Sequence, residues 1–362
     1  MTTPAPRPTP RGRGAAIQPD NPYLTGQRVD DLEHVDHDAD YLATLVRPPT
    51  TYLDDASQSI VAMNDSPDVG FRYSVNPYRG CTHGCSYCFA RPGHEYLGLS
   101  AGIDFETKIM VKRRAPELLR QFLANPKWKP ETIVFSGVTD CFQPIERELR
   151  LTRGCLEVAA ECRQPVGIIT KNALVARDVD LLAELAVHRA VRVAFSVTTL
   201  DQDLARVMEP RTSSPAARLR AMAELAAAGV DVEVMVAPII PGLNDHEVAA
   251  ILQASHDAGA SGAGYVLLRL PTTVRPVFLE WLQRCRPNHA EKVESFIRAT
   301  RGGRMYNSNW GDRQRGRGPI AEHIEKSFQV FAKKCGFTGR LEPLNCEAFR
   351  PPRPATGQLN LF

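Results

Sequence analysis

Three cysteines, Cys81, Cys85 and Cys88, stand four and three residues apart in the run Asn-Pro-Tyr-Arg-Gly-Cys-Thr-His-Gly-Cys-Ser-Tyr-Cys, residues 76–88. That spacing puts three thiolates on one tight loop just beyond a strand-like stretch. Gly80 and Gly84 let the backbone wrap closely around a bulky object. A mononuclear structural zinc site needs a fourth ligand, usually from a second Cys or His pair, and the chain has no second CxxC. A ferredoxin run would place its fourth cysteine nearby, and none follows. Three thiolates on a four-iron cube leave one iron without a protein ligand, open to a chelating molecule. The competing readings are a zinc loop, or three buried thiols that hold nothing. His83, between the first two cysteines, is expected as an exposed loop residue.

The remaining cysteines carry weaker signals. Cys155 and Cys162 lie seven apart, on one face of a helix, and read as packing residues. Cys285, Cys335 and Cys346 are too scattered to specify a second cluster. Nine cysteines, an odd number, argue against a fully paired disulfide framework. The opening MTTPAPRPTPRGRG lacks the apolar core of a secretory signal, and no run of eighteen apolar residues occurs. These observations predict a cytoplasmic protein in a reducing compartment, where clustered thiols bind metals.

The net charge of +3, from 44 basic and 41 acidic residues, is too weak to demand a nucleic-acid partner. Its distribution says more. Residues 301–318 carry five arginines against one aspartate, and Arg-Gly-Arg-Gly occurs at both 11–14 and 315–318. Arg313, Arg315 and Arg317, with Tyr306 and Trp310, suit a phosphate backbone and exposed bases, or simply form a charged loop.

The elements that must position the cysteine loop follow an alternating pattern. Strands are predicted at Phe71–Pro77, Thr132–Ser136, Val166–Thr170, Val191–Val197, Val230–Val236 and Gly264–Leu270. Helices are predicted over Glu146–Cys162, Asp178–Val187, Ser214–Ala228 and Asp245–Ala258, with a further one near 116–124. Six βα units predict an α/β fold, a partial (β/α)6 TIM-type barrel, with a doubly wound sheet as the alternative. The predicted domains are an N-terminal extension (1–66), the barrel core (67–272), a C-terminal helical region with the Arg/Gly-rich loop (273–346) and a tail (347–362). Residues 1–20 and the tail are expected to be unordered. The acidic stretch around Asp30–Asp40 is read as part of a strap over the main domain.

In such a barrel, chemistry gathers where strands end at their C-termini. Polar residues recur there: the cysteine loop after the first strand, Ser136, Thr139 and Asp140 after the second, and Lys171 after the third. Ser196 and Thr198 stand at the end of the fourth, on one face. Taken singly, each is explained as well by helix capping, turn chemistry or a solvated charge.

The motif CxxxCxxC with an aromatic residue before its last cysteine, here Tyr87, resembles the signature of the radical S-adenosylmethionine (SAM) superfamily. Within it, SVNPYRGCTHGCSYCFARP (74–92), FETKIMVK (105–112), SGVTDCFQP (136–144) and the Thr170-Lys171 turn look like the spore photoproduct lyase group, which is DNA repair photolyase-like. RGRGA (11–15) and the GGRMYN…RGRGP stretch (302–319) look like a less characterised branch of it. The resemblance implies a [4Fe–4S] cluster on Cys81, Cys85 and Cys88, with SAM chelating the open iron. Reductive cleavage of SAM would give a 5′-deoxyadenosyl radical that abstracts hydrogen from a substrate.

The same resemblance implies roles around SAM. Ser136, Thr139 and Asp140 would hold its amino group, although the usual Gly-Gly-Glu wording is absent. Lys171 would neutralise its carboxylate, and Ser196 and Thr198 would bond its ribose or methionyl part. Cys141 falls near the place of the group's hydrogen-donor cysteine but follows the aspartate instead of preceding it. It reads equally as a buried small hydrophobe. The implied partners are a flavodoxin- or ferredoxin-like electron donor and a nucleic-acid substrate. The alternatives are radical chemistry on a peptide or small metabolite, and a non-catalytic iron–sulfur electron-transfer protein.

Overall fold

The computed structural model of the chain describes residues 9–24, 46–337, 339 and 341–353. Its strands are β1 (Thr51–Asp54), β2 (Val61–Met63), β3 (Tyr73–Val75), β4 (Tyr78–Arg79), β5 (Lys108–Val111), β6 (Ile133–Phe135), β7 (Val166–Thr170), β8 (Val191–Ser196), β9 (Asp231–Ile239) and β10 (Gly262–Leu267). Strands β3, β6, β7, β8, β9 and β10 lie side by side in that order and all run parallel. A doubly wound sheet reverses its strand order at a switch point, whereas this one winds in a single direction, as a barrel does. β2 pairs antiparallel with β3 and ends the sheet, so the barrel stays partial. The six parallel strands coincide with the six that the sequence predicts.

Each strand alternates toward the core. In β7, Val166, Ile168 and Thr170 are buried and their neighbours are half-buried. Helices pack outside it, among them Leu151–Cys162, Val179–Val187, Pro215–Ala227 and Val248–Asp257. The helix Pro215–Ala227 starts where expected: Ser214 Oγ accepts from Ala217 N (3.3 Å) and Pro215 occupies the first turn. Gly229, at a left-handed φ of 80°, ends it.

Two predicted helices break. Glu146–Cys162 divides at Arg150, whose φ is 51°. The buried Glu146 carboxylate turns back and accepts from Thr152 N (3.0 Å) and Arg153 N (3.3 Å), capping the second segment. Asp245–Ala258 opens as a turn of 3₁₀ helix before its α-helical part. A second sheet, β1-β5-β4, has no counterpart among the predicted strands.

The N-terminal expectation needs correction for residues 9–20. Ala15 is fully buried against Ile103 and Val277, and Arg13 is buried too. Composition misjudges this segment because polar contacts, more than apolar area, hold it down. The tail differs likewise over 347–353. Arg350 N donates to Cys162 O (2.8 Å) and Arg353 N to Glu161 Oε1 (3.0 Å). The acidic strap around Asp30–Asp40 and the tail from 354 lie outside the described residues.

C-terminal to the barrel, the helices Val274–Cys285 and Pro287–Ala299 share a core with Cys85 and Tyr87 through Phe278, Trp281 and Val293. They therefore buttress the cysteine loop. Among the described residues no helix is long and apolar enough to cross a membrane.

Candidate active site

The cysteine loop leaves β4 at the C-terminal ends of the parallel strands. Gly80 has φ 82° and a side chain there would press within 2.8 Å of the His94 ring and 3.0 Å of Phe105 O. Cys81 N donates to Phe105 O (3.0 Å), Ser86 N to Met208 O (3.0 Å) and Cys88 N to Cys85 O (3.2 Å). Cys81 and Cys85 are buried and Cys88 is half-buried, all three as free thiols. Burial pushes each thiol above the ordinary range. For Cys81 the negative charges of Asp140, Cys88 and Cys85 add to that push. Three thiolates this crowded need a cationic centre.

Beside the loop lies a buried charge network that sequence spacing does not announce. Glu209 is fully buried and accepts from Tyr87 Oη, Thr198 Oγ1 (2.6 Å) and Arg218 Nη2. Lys171 Nζ stands 3.6 Å from the same carboxylate, donates to Ala237 O (3.0 Å), and lies 5.8 Å from the centre of the Tyr87 ring. Burial alone would raise the Glu209 carboxyl. Arg218, Lys171 and the hydrogen bonds from Thr198 and Tyr87 outweigh it and hold the group down at about 2. Two cations thus face one carboxylate. Ser196 lies buried at the end of β8, its carbonyl accepting from Arg218 Nη1 (2.8 Å).

The loop after β6 is folded around Asp140. Its carboxylate accepts from Thr170 Oγ1 (2.9 Å), Lys171 N (2.8 Å) and Phe142 N (2.9 Å) and faces His83 Nδ1 at 3.4 Å. Burial pushes this group up, but His83 and these hydrogen bonds together hold it below the usual carboxylate range. Asn172 Nδ2 meets the other His83 nitrogen at 3.1 Å. His83 is therefore buried, at 1% exposure, and not an exposed loop residue: both ring nitrogens are engaged inside the protein. Ser136 Oγ accepts from Cys141 N (2.8 Å), and Thr139 Oγ1 donates to Tyr78 O (2.7 Å). Both hydroxyls shape this loop.

Cys141 is placed elsewhere. Its side chain is fully buried in the core with Phe142, Cys155 and Leu156, and burial raises its thiol well above the ordinary range. A hydrogen donor must reach the substrate, so the catalytic expectation for Cys141 is corrected to packing. Cys141→Ala keeps iron content and SAM cleavage, and costs about 1 kcal/mol of stability. Denaturant unfolding beside a SAM-cleavage assay checks this.

Residues 75–254 match the sequence profile of the Radical SAM superfamily. The chain belongs to the radical SAM superfamily. A relative from Mycobacterium tuberculosis, itself described as uncharacterised, is 39% identical over 242 residues, 66% of this chain and 71% of the relative. An uncharacterised protein of Methanocaldococcus jannaschii is 29% identical over 185 residues, 51% of this chain and 67% of its own length. Among solved structures, spore photoproduct lyase with bound SAM and dinucleoside spore photoproduct aligns with a TM-score of 0.58. That alignment covers 79% of both chains at 17% identity, a likeness of fold.

As a radical SAM enzyme, the protein uses a [4Fe–4S] cluster and SAM. The donor set fits that cluster: three thiols on one loop, none engaged in a disulfide, wrapped by glycines whose side chains would collide with the fold. Among the described residues no group of three or more His, Cys, Asp or Glu side chains is placed to hold a single metal ion. A four-iron cube spreads its ligands wider than one ion does. Glu209, Arg218, Arg91 and Glu106 escaped the sequence reading. Their roles come from tertiary contact: Tyr87 and Glu209 are 122 residues apart, and even the nearer pairs, Glu209–Arg218 and Arg91–Glu106, fit no motif spacing.

Proposed function

We propose that Cys81, Cys85 and Cys88 hold the cluster, and that this enzyme acts on a nucleic-acid substrate at the C-terminal mouth of its partial barrel. The observation that carries the reading is the gathering of the three thiols, Tyr87, Lys171 and Thr198 at that mouth, around a carboxylate opposed by two cations. Held by Cys81, Cys85 and Cys88, the cluster together with SAM would supply radical chemistry that removes a hydrogen atom from the substrate. Glu209 positions Lys171, and the surplus positive charge of Lys171 and Arg218 suits the SAM carboxylate. Backbone groups of the 136–140 loop, held open by Asn76 and Asp140, are available to its amino end. Ser196 and Thr198 line the ribose side. A flavodoxin- or ferredoxin-like donor would supply the electron, since Cys285, Cys335 and Cys346 each meet a different partner that is not a cysteine: Arg284, Gln253 and Leu344 O.

Further arginines join those that the sequence singles out as candidates to grip phosphate. Arg313 pairs with Asp68 and stacks on Trp310 (3.9 Å), Arg315 covers the Tyr265 ring (4.1 Å), and Arg317 pairs with Asp312 (2.6 Å). Arg313 is thereby largely committed within the fold, whereas Arg315 and Arg317 stay exposed beside their partners. Just past β10, a cavity of about 400 Å³ is lined by Thr272, Arg275, Arg298, Arg304 and Tyr306. Arg269, next in sequence to the cavity residue Leu270, stacks on Phe89, which follows Cys88 and is 46% exposed. Arginine forks and aromatic faces in this arrangement suit a single strand or a flipped base.

Anaerobic reconstitution with deuterium-labelled single-stranded oligonucleotides tests the reading. Label in 5′-deoxyadenosine is expected, with a loss of oligonucleotide affinity of about tenfold or more when Arg275, Arg298 and Arg304 become alanine. Label arriving from a peptide or metabolite instead would overturn the nucleic-acid assignment.

A further inference from the structure

The first Arg-Gly-Arg-Gly-Ala run lies outside the barrel, yet it touches the cysteine loop directly. Gly14 N and Ala15 N donate to the two carboxylate oxygens of Glu106, at 3.1 and 2.8 Å. Glu106 is fully buried and pairs with the equally buried Arg91 at 2.5 Å. Arg91 in turn donates to Cys85 O through Nη2 (2.8 Å) and Nε (3.3 Å), and to Ala101 O and Gly102 O. A continuous relay therefore runs from two N-terminal amides, through one ion pair, to the backbone of the middle cysteine.

Three further contacts fix the run. Arg13 Nη1 donates to Glu106 O (2.8 Å), while its Nη2 reaches Pro48 O (2.7 Å) and Thr50 Oγ1 (2.9 Å). Arg284 Nη2 donates to Gly14 O (3.2 Å), and Arg211 joins Gly12 O (3.1 Å) to His83 O (3.3 Å). Gly14 sits so close to the cysteine loop that a methyl group there would overlap the Gly84 carbonyl oxygen. Gly84 is hemmed in from the other side: its own added carbon would lie 2.6 Å from Glu106 Oε2. Nothing about φ demands glycine at position 14. Contact does.

We infer that residues 11–15 form a clasp that positions the cysteine loop for the cluster, with Gly14, Glu106 and Arg91 as positioning residues. This rests on the assignment of Cys81, Cys85 and Cys88 as cluster ligands. A buried ion pair with satisfied hydrogen bonds holds geometry, whereas one deprived of its backbone donors invites water and rearrangement. Without the clasp, Glu106 loses two donors, Arg91 loses a fixed partner, and Cys88 N is left as the one fixed donor to the Cys85 carbonyl among the described residues. Outer-shell groups of metal sites act this way by orienting the ligands.

The test uses the full chain reconstituted without oxygen, with Gly14→Ala, a deletion of residues 1–15, and a deletion of residues 1–10 that spares the clasp. Iron and acid-labile sulfide per chain, the rate of iron extraction by a chelator, and the electron paramagnetic resonance spectrum of the reduced cluster are measured. Gly14→Ala and the 1–15 deletion are expected to lose iron about tenfold or more faster than the native protein, with a broadened resonance signal. The 1–10 deletion is expected to match the native protein. A peptide of residues 9–24 added to the 1–15 deletion should slow iron loss again, which recovery from general destabilisation would not produce. Native extraction rates and spectra in both clasp variants would overturn the inference. A native chain that binds no four-iron cluster would instead overturn the ligand assignment beneath it.

Discussion

Cys85→Ala, reconstituted without oxygen, binds less than one iron per chain and cleaves SAM at least about a thousandfold more slowly than the native protein. Two thiolates cannot anchor a cube in the orientation that leaves one iron facing the mouth, and Cys85 has no substitute nearby. Its neighbours Leu204, Met208 and Trp281 offer no ligand of comparable strength, and His83 is held by Asp140 and Asn172. The apo-protein changes little in stability, because a buried thiol packs as a small hydrophobe and alanine leaves only a small void. Iron analysis, circular dichroism and a 5′-deoxyadenosine assay on the same preparation separate loss of cluster from loss of fold. Four irons retained by Cys85→Ala would remove the cysteine loop as the cluster site.

The cysteine loop is legible in the sequence because all three thiols and both wrapping glycines fall within nine residues. Strands β7 and β8 are legible for a related reason: Val166–Thr170 and Val191–Ser196 are β-branched or apolar runs bounded by turns. Two-residue β4 has no period to read, and it pairs with β5 across a loop of nearly thirty residues. Residues 11–15 fail a hydrophobicity test yet are ordered, because Glu106 and Arg91 supply buried charge where the segment supplies amides. Arg313, Arg315 and Arg317 are legible only in part. Their density suggests a surface for phosphate, and what it does not announce is that each also has a partner in the fold, Asp68, Tyr265 and Asp312, two of them distant in sequence.

Glu209→Ala is expected to destabilise the folded protein by about 3–5 kcal/mol, the largest loss from any single polar residue at the site. The Arg218 side chain is fully buried, and without the carboxylate its charge has only Ser196 O, Ser213 O and Thr212 Oγ1 for company. Lys171 would lose its nearest negative charge, and Tyr87 and Thr198 a common acceptor. Glu209→Gln should cost less, since an amide oxygen still accepts from Thr198 or Arg218. Adding Arg218→Met to Glu209→Gln should recover part of the loss, because removing both charges spares the burial of one alone. The pH dependence carries the same signature. The folded carboxyl is held at about 2, below its unfolded value, so its contribution is complete above the ordinary carboxylate range and lost as pH falls toward 2. Native stability should therefore fall more steeply than that of Glu209→Gln on acidification through that window, and the two should run parallel near neutral pH. Denaturant titrations of the apo-proteins at several pH values measure this. Equal slopes would mean that Glu209 is not held ionised, and that Lys171 owes its place at the mouth to some other group.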